Sequence, residues 1–455
     1  MGKYEIYAIR FVFDFFFVPL QKNREVFCSI VCLMIEELKV KNFLSFKTEA
    51  CLSFEATKDD MGAASHVVTM ADGRKLLRLA LIYGANASGK SNLLNAIEFL
   101  KKFWFTKQED VDTPTGVIPF RFDVATPTEP SEFSLRFYVN GTRYWYELKL
   151  STACVLEEKL SYYGSVQPTM LFHRILEAGQ SVIKLNSTIK PSAAAQEEIQ
   201  LKCLKNTSFF AARNQVNVTI PLVDDARDWL RNGIMNMVSP DVRMFNYAAH
   251  QMDTNISLKE HLLSFVQSAD FNIVGFTTKH IPTEVPEVLM NLLTKEKSLS
   301  EEERKQFAMR LSTEFQHKVQ NERGVEVYSL PEQLQSRGTK RALGLESALY
   351  WANEKSAVLP VDEIESSLHP ALIEYVLESF FRTNSQSQIV VTTHYDQLLD
   401  TISDLLRKDM IWFTEKKKDG STDLYSLVEF NGLNKISSFP RSYRSGRFGA
   451  QPNIG

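Results

Sequence analysis

The sequence is poor in cysteine and in long apolar runs, and it has no excess of charge of either sign. Five cysteines are spread over 455 residues, and 52 Lys and Arg against 55 Asp and Glu leave a formal net charge of −3. Only Cys28 and Cys32 are close in sequence, with no further Cys or His nearby to complete a zinc set. The cysteines therefore predict reduced thiols in a cytoplasmic protein, and the charge balance gives no global sign of nucleic-acid binding.

The apolar runs near the N-terminus are too short for a membrane helix. Residues 11–20 and 26–33 are apolar, but the charged residues 21–25 separate them, and neither run reaches the roughly 20 residues that a bilayer requires. The charged break and the lack of a small-residue cleavage site also argue against a signal peptide. Residues 1–33 are interpreted as an extension upstream of a natural start at Met34. A peripheral anchor or a partner-binding segment is the alternative.

One stretch carries a recognisable chemistry, the pattern G-x-x-x-x-G-K-[ST] that forms a phosphate-binding loop. The apolar residues 77–83 predict a buried strand before it, and residues 91–104 predict a helix after it. The glycines let backbone N–H groups point at a phosphate, which the positive helix N-terminus also attracts. The residues predicted to bind the nucleotide here are Gly84, Ala85, Asn86, Ala87, Ser88, Gly89, Lys90, Ser91 and Asn92. Lys90 is expected to reach the β/γ oxygens, and Ser91 to hold Mg²⁺.

Around this stretch the hydrophobic pattern changes along the chain. Alternating residues on both sides of Asn140-Gly141 predict a β-hairpin within an antiparallel region. Residues 222–267 and 283–323 are interpreted as helical, and Ser300 with Glu303 fits a capping box. The charges of the second segment indicate a solvated helical face, with a partner or nucleic-acid surface as the alternative.

A second set of site residues follows two apolar runs near the C-terminus. Residues 357–361 are apolar and end in Asp362-Glu363, although Pro360 is unusual for a central strand. Asp362 is predicted to hold Mg²⁺ opposite the phosphate loop, and Glu363 to polarise the water that attacks the terminal phosphate. The next apolar strand ends at His394, which is predicted to sense that phosphate by hydrogen bonding.

A third set of site residues lies in the turn before a predicted helix. Ser336, Gly338 and Thr339 are expected to offer hydroxyl, amide and helix-dipole contacts to a phosphate. The motif Ser-x-Gly-Thr is weak by itself, but it lies in order between the phosphate loop and the Asp-Glu pair.

Taken in order, these motifs resemble those of ABC-type ATPase heads, in the branch of the overcoming-lysogenization-defect (OLD) and RecF/SMC-like ATPases. The opening Lys41–Phe46, the run Glu363–Pro370 and the tail Tyr443–Ala450 are similar to the AbiL/RloA-type ATPases of phage defence. The resemblance runs from Met34 to the C-terminus and is weakest in the helical region. The chain departs from it at Leu44, where the related openings often carry Arg, and no Q-loop glutamine can be assigned.

The resemblance implies an α/β fold, an ABC-type P-loop ATPase head with a mixed sheet, helices and an antiparallel β subdomain, interrupted by a helical insertion. It implies a first ATPase lobe over residues 34–220, the insertion over 221–325 and a second lobe over 326–455. It also implies a head-to-tail homodimer, or a higher assembly built from it, that holds ATP between the phosphate loop of one subunit and Ser336–Thr339 of the other. Residues 366–370 would then form the D-loop, although Arg337 occupies a position where transporter heads have Gly.

Three functions are compatible with this pattern. The first is an ATP-hydrolysing sensor or motor, without membrane contact, of an antiphage abortive-infection system. It would respond to DNA or a phage component and act with a separate TOPRIM- or RloB-like nuclease or a toxin, because the roughly sixty residues after His394 are too few for such a domain. The basic tail at Arg441, Arg444 and Arg447 could contact that effector or be solvated. The second is a RecF/SMC-like DNA repair or maintenance ATPase, although neither a long heptad arm nor a zinc hook is present. The third, a transporter subunit, is disfavoured by the large insertions.

Overall fold

The computed structural model describes residues 33–189, 191–242, 244–269, 271–282 and 309–451. These residues divide into two compact units. Of the described residues, those within 33–242 and 348–451 form the larger unit, and those within 244–347 form the smaller unit. Within the described ranges, no helix has the length and apolar character needed to cross a membrane.

A five-stranded sheet forms the centre of the larger unit. Its strands, in spatial order, are β14 (Val358–Val361), β15 (Gln388–Thr393), β5 (Leu79–Gly84), β16 (Ile411–Lys416) and β17 (Thr422–Ser426). The first four are parallel, and β17 pairs antiparallel with β16. Every residue of β5 and β15 is buried, as expected for parallel strands that are covered on both faces.

Pro360 lies in β14, at the edge of this sheet, which explains why the strand tolerates it. The N–H groups of Val358 and Asp362 donate to the carbonyls of Gly233 and Val238, on the side away from β15. The nitrogen of Pro360 faces the same side, because backbone groups alternate along a strand. The proline therefore removes no ladder hydrogen bond to β15.

An antiparallel sheet of seven strands forms the second layer of the larger unit. In spatial order these are β10 (Gln180–Leu185), β9 (Thr169–Glu177), β8 (Val155–Tyr163), β7 (Thr142–Leu150), β6 (Ser131–Val139), β1 (Leu33–Lys41) and β2 (Ala50–Ser53). The predicted hairpin at Asn140-Gly141 is confirmed. Both turn residues have positive φ, 51° and 80°, which is the conformation that Asn-Gly favours in a two-residue hairpin.

The remaining elements of the larger unit are one small sheet and several helices. The small sheet pairs β3 (Val67–Thr69) with β4 (Lys75–Leu77). The helices are α1 (Lys90–Phe105), α2 (Ala193–Lys202), α3 (Phe209–Arg213), α4 (Pro221–Asn232), α8 (Pro370–Arg382) and α9 (Phe439–Arg444). The long helix α7 (Arg337–Lys355) begins in the smaller unit and ends in the larger one.

The smaller unit is only partly helical. It contains α5 (Met244–Thr254) and α6 (Ile256–Ser268), followed by an antiparallel sheet of β11 (Ile273–Pro282), β12 (Met309–Asn321) and β13 (Gly324–Pro331). The prediction of helix through residues 309–323 is therefore wrong. Its high charge obscured a period-two pattern in which buried Leu311, Thr313 and Phe315 share one face. The capping box predicted at residues 300–303 lies outside the described residues.

The predicted fold class is confirmed. The phosphate-loop motif connects a central parallel strand to a helix, and an antiparallel β layer accompanies the mixed sheet. The ends of β5, β14 and β15 are followed by the phosphate loop, by the Asp-Glu pair and by His394. Because these strands are parallel, their carboxyl ends meet at one edge of the sheet, where ligands bind in open α/β folds.

Candidate functional site

The phosphate loop has a backbone path that only glycine permits at two positions. A Cβ on Gly84 would lie 2.4 Å from Oγ1 of Thr414 and 2.5 Å from Oγ of Ser88. Gly89, the N-cap of α1, has φ of 105°, and a Cβ there would lie 2.2 Å from Oγ1 of Thr422. The loop is therefore closely surrounded by hydroxyl groups, and α1 presents its positive N-terminus directly after it.

Lys90 is buried and folded back over this loop. Its Nζ donates to the carbonyls of Gly84 at 2.9 Å and Ala85 at 3.1 Å, and lies 3.4 Å from Nδ1 of His394. Burial lowers the pKa of the lysine, whereas nearby carboxylates, with Glu363 contributing most, act in the opposite direction. A buried ammonium that is held by two carbonyls and a ring nitrogen can exchange them for a stronger anionic partner, such as a phosphate oxygen.

Ser91 and Asp362 provide a pair of oxygen donors across the sheet edge. The Ser91 hydroxyl donates to Oδ1 of Asp362 at 3.0 Å, and the hydroxyl of Thr392 donates to the same oxygen at 2.5 Å. Mg²⁺ prefers oxygen ligands and is usually held by one or two protein groups together with phosphates and water. The residues therefore fit a Mg²⁺ site of this kind, although the described part of the chain has no group of three or more His, Cys, Asp or Glu that could hold a metal alone.

Glu363 is held in a conformation that is uncommon for a side chain of its type. Its φ is 48°, in the left-handed region, and its N–H donates to the Thr392 hydroxyl at 2.8 Å. Backbone strain of this kind is often found at functional sites. The half-exposed carboxylate faces the cleft, with Oε1 4.0 Å from Nε2 of His394.

His394 connects the two halves of the site. Its backbone N–H donates to Oε1 of Glu365 at 2.5 Å, while its ring lies between Lys90 and Glu363. Burial lowers the pKa of His394, and the positive charge of Lys90 lowers it further, against the opposing effect of the two glutamates. The neutral imidazole is therefore favoured near pH 7, and its nitrogen can accept a hydrogen bond from Lys90.

Lys90, Ser91, Glu363 and His394 line an open cleft of about 300 Å³, and Asp362 lies directly behind Ser91. The structure thus brings together Lys90, Ser91, Asp362, Glu363 and His394, which the sequence places up to three hundred positions apart. Their roles in binding and catalysis remain predictions.

The cleft is also lined by residues that the sequence did not predict. They are Ser45, Phe122, Lys416 and Gly420. Ser45 belongs to the quoted Lys41–Phe46 opening but had no assigned contact, and it accepts hydrogen bonds from Asn92 and Thr422 at 2.8 and 2.7 Å. No sequence motif distinguishes these positions, since they reach the cleft through long-range folding.

The Ser336–Thr339 turn lies in the smaller unit, at the start of α7. The Thr339 N–H donates to Oγ of Ser336 at 2.9 Å, which is the hydrogen bond of a helix N-cap. Ser336 itself is exposed, and Gly338 lies in the first helical turn. The predicted arrangement of hydroxyl and glycine at a helix N-terminus is present. Its contact with a phosphate remains a prediction.

Two further predicted features have clear local roles. His369, in the predicted D-loop, is the N-cap of α8, and its Nδ1 accepts from the Ala371 N–H at 3.3 Å. In the basic tail, Arg444 forms a two-pronged ion pair with Asp396, with N–O distances of 2.6 and 2.9 Å. The tail is therefore tied to the segment that directly follows His394, rather than only solvated.

Comparisons with known proteins agree with a nucleotide-binding fold. A family model described as "AAA domain, putative AbiEii toxin, Type IV TA system" matches residues 79–186 and 267–400, together more than half of the chain. These ranges contain the phosphate loop, Asp362, Glu363 and His394. A search of curated proteins finds no match.

Solved structures similar to the chain include three SMC heads. The head from Thermotoga maritima has 15% identity and a TM-score of 0.39, covering 86% of this chain and 98% of that one. An SMC head bound to the C-terminal winged-helix domain of ScpA has 14% identity and a TM-score of 0.42, with 88% and 99% covered. A head with an extended coiled coil, bound to the C-terminal domain of ScpA from Pyrococcus furiosus, has 14% identity and a TM-score of 0.38, with 87% and 97% covered. Scores at this level support no further argument.

Proposed function

Because the chain belongs to this AAA-domain family, we propose that it is an ATPase whose cleft binds ATP with Mg²⁺ and hydrolyses it. The observation that carries the proposal is the convergence of Lys90, Ser91, Asp362, Glu363 and His394 at one edge of a parallel sheet. Each has the chemistry that phosphoryl transfer requires, which is mostly positioning and charge stabilisation.

Each of these residues has a distinct role in the proposed reaction. Backbone N–H groups of Gly84–Ser91 and the ammonium of Lys90 hold the β- and γ-phosphates. Ser91 and Asp362 would hold Mg²⁺, which when bound would offset negative charge on the phosphate oxygens. Glu363 accepts a proton from the attacking water, and His394 donates a hydrogen bond to the terminal phosphate.

Glu363 is well placed for the role of general base. The Thr392 hydroxyl fixes its backbone, and the left-handed φ turns its carboxylate away from Asp362 into the cleft. Asp362, by contrast, is buried and already accepts two hydroxyl hydrogen bonds on Oδ1. Two adjacent carboxylates thus occupy different environments, which separates the metal ligand from the base.

We further propose that the site is completed by a second copy of the chain, in a head-to-tail dimer. The support is the exposed Ser336 and the nearby Gly338 at the N-terminus of α7, a place where hydroxyl, amide and helix dipole can face an anion. The resemblance of the motif order to ABC-type heads suggests which residues would meet. ATP would then hold two subunits together until it is hydrolysed.

The biological role that we propose is that of a sensor or motor in an AbiL/RloA-type antiphage system, with a separate effector protein. The family description names a toxin–antitoxin system, which is in keeping with a defence role. The trigger would be DNA or a phage component. A neighbouring reading frame for a nuclease or toxin would support this role, whereas a permease there would contradict it.

The enzymatic proposal is tested by the Glu363→Gln variant. Loss of a general base lowers turnover by about 10²- to 10⁴-fold, while ATP still binds and dimers accumulate. Glu354→Gln, which changes an exposed glutamate of α7 in the same unit, is the matched control and should leave turnover unchanged. Unchanged turnover in Glu363→Gln would remove Glu363 from the mechanism, and monomers that persist with ATP would contradict the dimer.

A further inference from the structure

The cleft has two sides with different contacts. On one side Lys90 and Glu363 both approach the ring of His394, at 3.4 and 4.0 Å. On the other side Asn92 and Thr422 hydrogen-bond to Ser45. Hydrolysis acts on the terminal phosphate, so the nucleoside of a bound triphosphate must extend away from the catalytic side and toward Ser45.

An exposed aromatic ring stands at this second side. Phe122 lines the same cleft as the phosphate loop, and 73% of the residue is exposed. A single exposed apolar residue is common and means little alone. Phe122 differs because its ring borders a cleft in which one ligand is already expected.

The ring is held in place rather than free. It packs edge-to-face on the fully buried Phe120, with ring centroids 5.8 Å apart. Behind it lies Gly420, where a Cβ would come within 2.9 Å of the Phe122 ring. Lys47 ties the two segments together through ion pairs with Asp123 at 2.5 Å and Asp419 at 3.6 Å.

We propose that Phe122 is the platform on which the base of the bound nucleoside triphosphate stacks. This inference rests on the proposed ATP site and names the part of that site that holds the nucleoside. Because the two rings are perpendicular and 73% of Phe122 is exposed, the contact with Phe120 leaves ring surface available to a base. Lys416, exposed at the same rim, lies where its ammonium can meet the ribose hydroxyls or the α-phosphate. Gly420 keeps the space beside the ring clear of side-chain atoms.

The test distinguishes the contribution of the base to binding from the contribution of the phosphates. Affinities of the full chain for Mg²⁺-ATP and for Mg²⁺-tripolyphosphate, which has no base, are measured by calorimetry. A base–aromatic stack contributes about 1–3 kcal/mol, so Phe122→Ala should raise the Kd for ATP by about 5- to 150-fold. The same variant should bind tripolyphosphate as the wild type does, and Phe122→Trp should keep the ATP affinity.

Val124→Ala is the matched control, because Val124 lies in the same loop, is 98% exposed and does not line the cleft. It should bind both ligands normally. The inference is overturned if Phe122→Ala binds ATP as tightly as the wild type, or if it weakens ATP and tripolyphosphate equally. A wild-type chain that binds neither ligand would instead contradict the ATP site itself, and the base platform with it.

Discussion

A single buried hydroxyl positions both carboxylates of the proposed site. The hydroxyl of Thr392 donates to Asp362 and accepts from the Glu363 N–H, and Thr392 has no exposed surface. Thr392→Val keeps the shape of the side chain but removes both hydrogen bonds. We expect Asp362 to lose its fixed orientation and the Glu363 backbone to lose its anchor, although neither carboxylate is changed.

The size of the effect follows from the geometry. At 2.5 Å, the bond to Asp362 has the length of a charge-assisted O–H···O⁻ hydrogen bond. Hydrogen bonds to charged groups contribute about 1.5–3 kcal/mol, equivalent to about 10- to 150-fold in an equilibrium. Loss of a group that orients a metal ligand typically costs about 10- to 100-fold in metal affinity or activity. The hydrogen-bond energy and the typical effect of such a group therefore both indicate a loss of at least about 10-fold.

The assay is steady-state ATP turnover as a function of Mg²⁺ concentration. Thr392→Val should raise the Mg²⁺ concentration for half-maximal turnover by about 10- to 100-fold and should also lower the maximal rate. Thr207→Val is the control, because Thr207 is equally buried and its hydroxyl has no hydrogen-bond partner among the described residues. A Thr392→Val protein with the Mg²⁺ dependence and rate of the wild type would show that the Thr392 hydroxyl does not position these carboxylates.

Three further predictions concern the loop, the histidine and the dimer. Gly89→Ala should abolish ATP binding, because Gly89 has a φ of 105° and its new Cβ would lie 2.2 Å from Oγ1 of Thr422. The control Gly73→Ala, at a φ of 84° but with open space around it, should bind ATP normally. Equal ATP binding by the two variants would contradict the loop geometry. The pKa of His394 is lowered in the free protein, and an incoming triphosphate should raise it, so Mg²⁺-ATP binding near pH 6.5 should take up protons. Calorimetry in buffers of different ionisation enthalpy should show less proton uptake in His394→Asn than in the wild type. Equal proton uptake would show that His394 does not contact the bound triphosphate. Gly338→Asp should leave ATP binding intact but prevent ATP-dependent dimers of Glu363→Gln in sedimentation, and dimers that still form would contradict the composite site.

The parts of the site that lie within short stretches of sequence could be predicted. The phosphate loop is local, so its strand, turn and helix follow from adjacent residues such as Gly84, Gly89 and Lys90. The Asp362-Glu363 pair could be found because it ends an apolar strand. Pro360 is unusual for a central strand, and the structure explains it by placing this strand at the edge of the sheet.

The parts that depend on long-range packing could not be predicted. Thr392 acts on Asp362 and Glu363 from a neighbouring strand, and nothing in its own surroundings in sequence marks it. Phe122 lies at the cleft in a loop that Lys47 ties to a distant turn. The wrong prediction of helix over residues 309–323 has a different cause. The charged residues of this segment mask the alternation that places one face in the interior.

Identifying the nucleotide that stays bound tests most directly whether Glu363 activates water against ATP held in this cleft. Glu363→Gln is incubated with Mg²⁺-ATP, separated from free nucleotide, denatured, and its nucleotide is identified by chromatography. We expect intact ATP on the variant, and ADP or an empty site on the wild type treated in the same way. ADP on Glu363→Gln would show that hydrolysis proceeds without this carboxylate, and a variant that retains no nucleotide would contradict the ATP-held state.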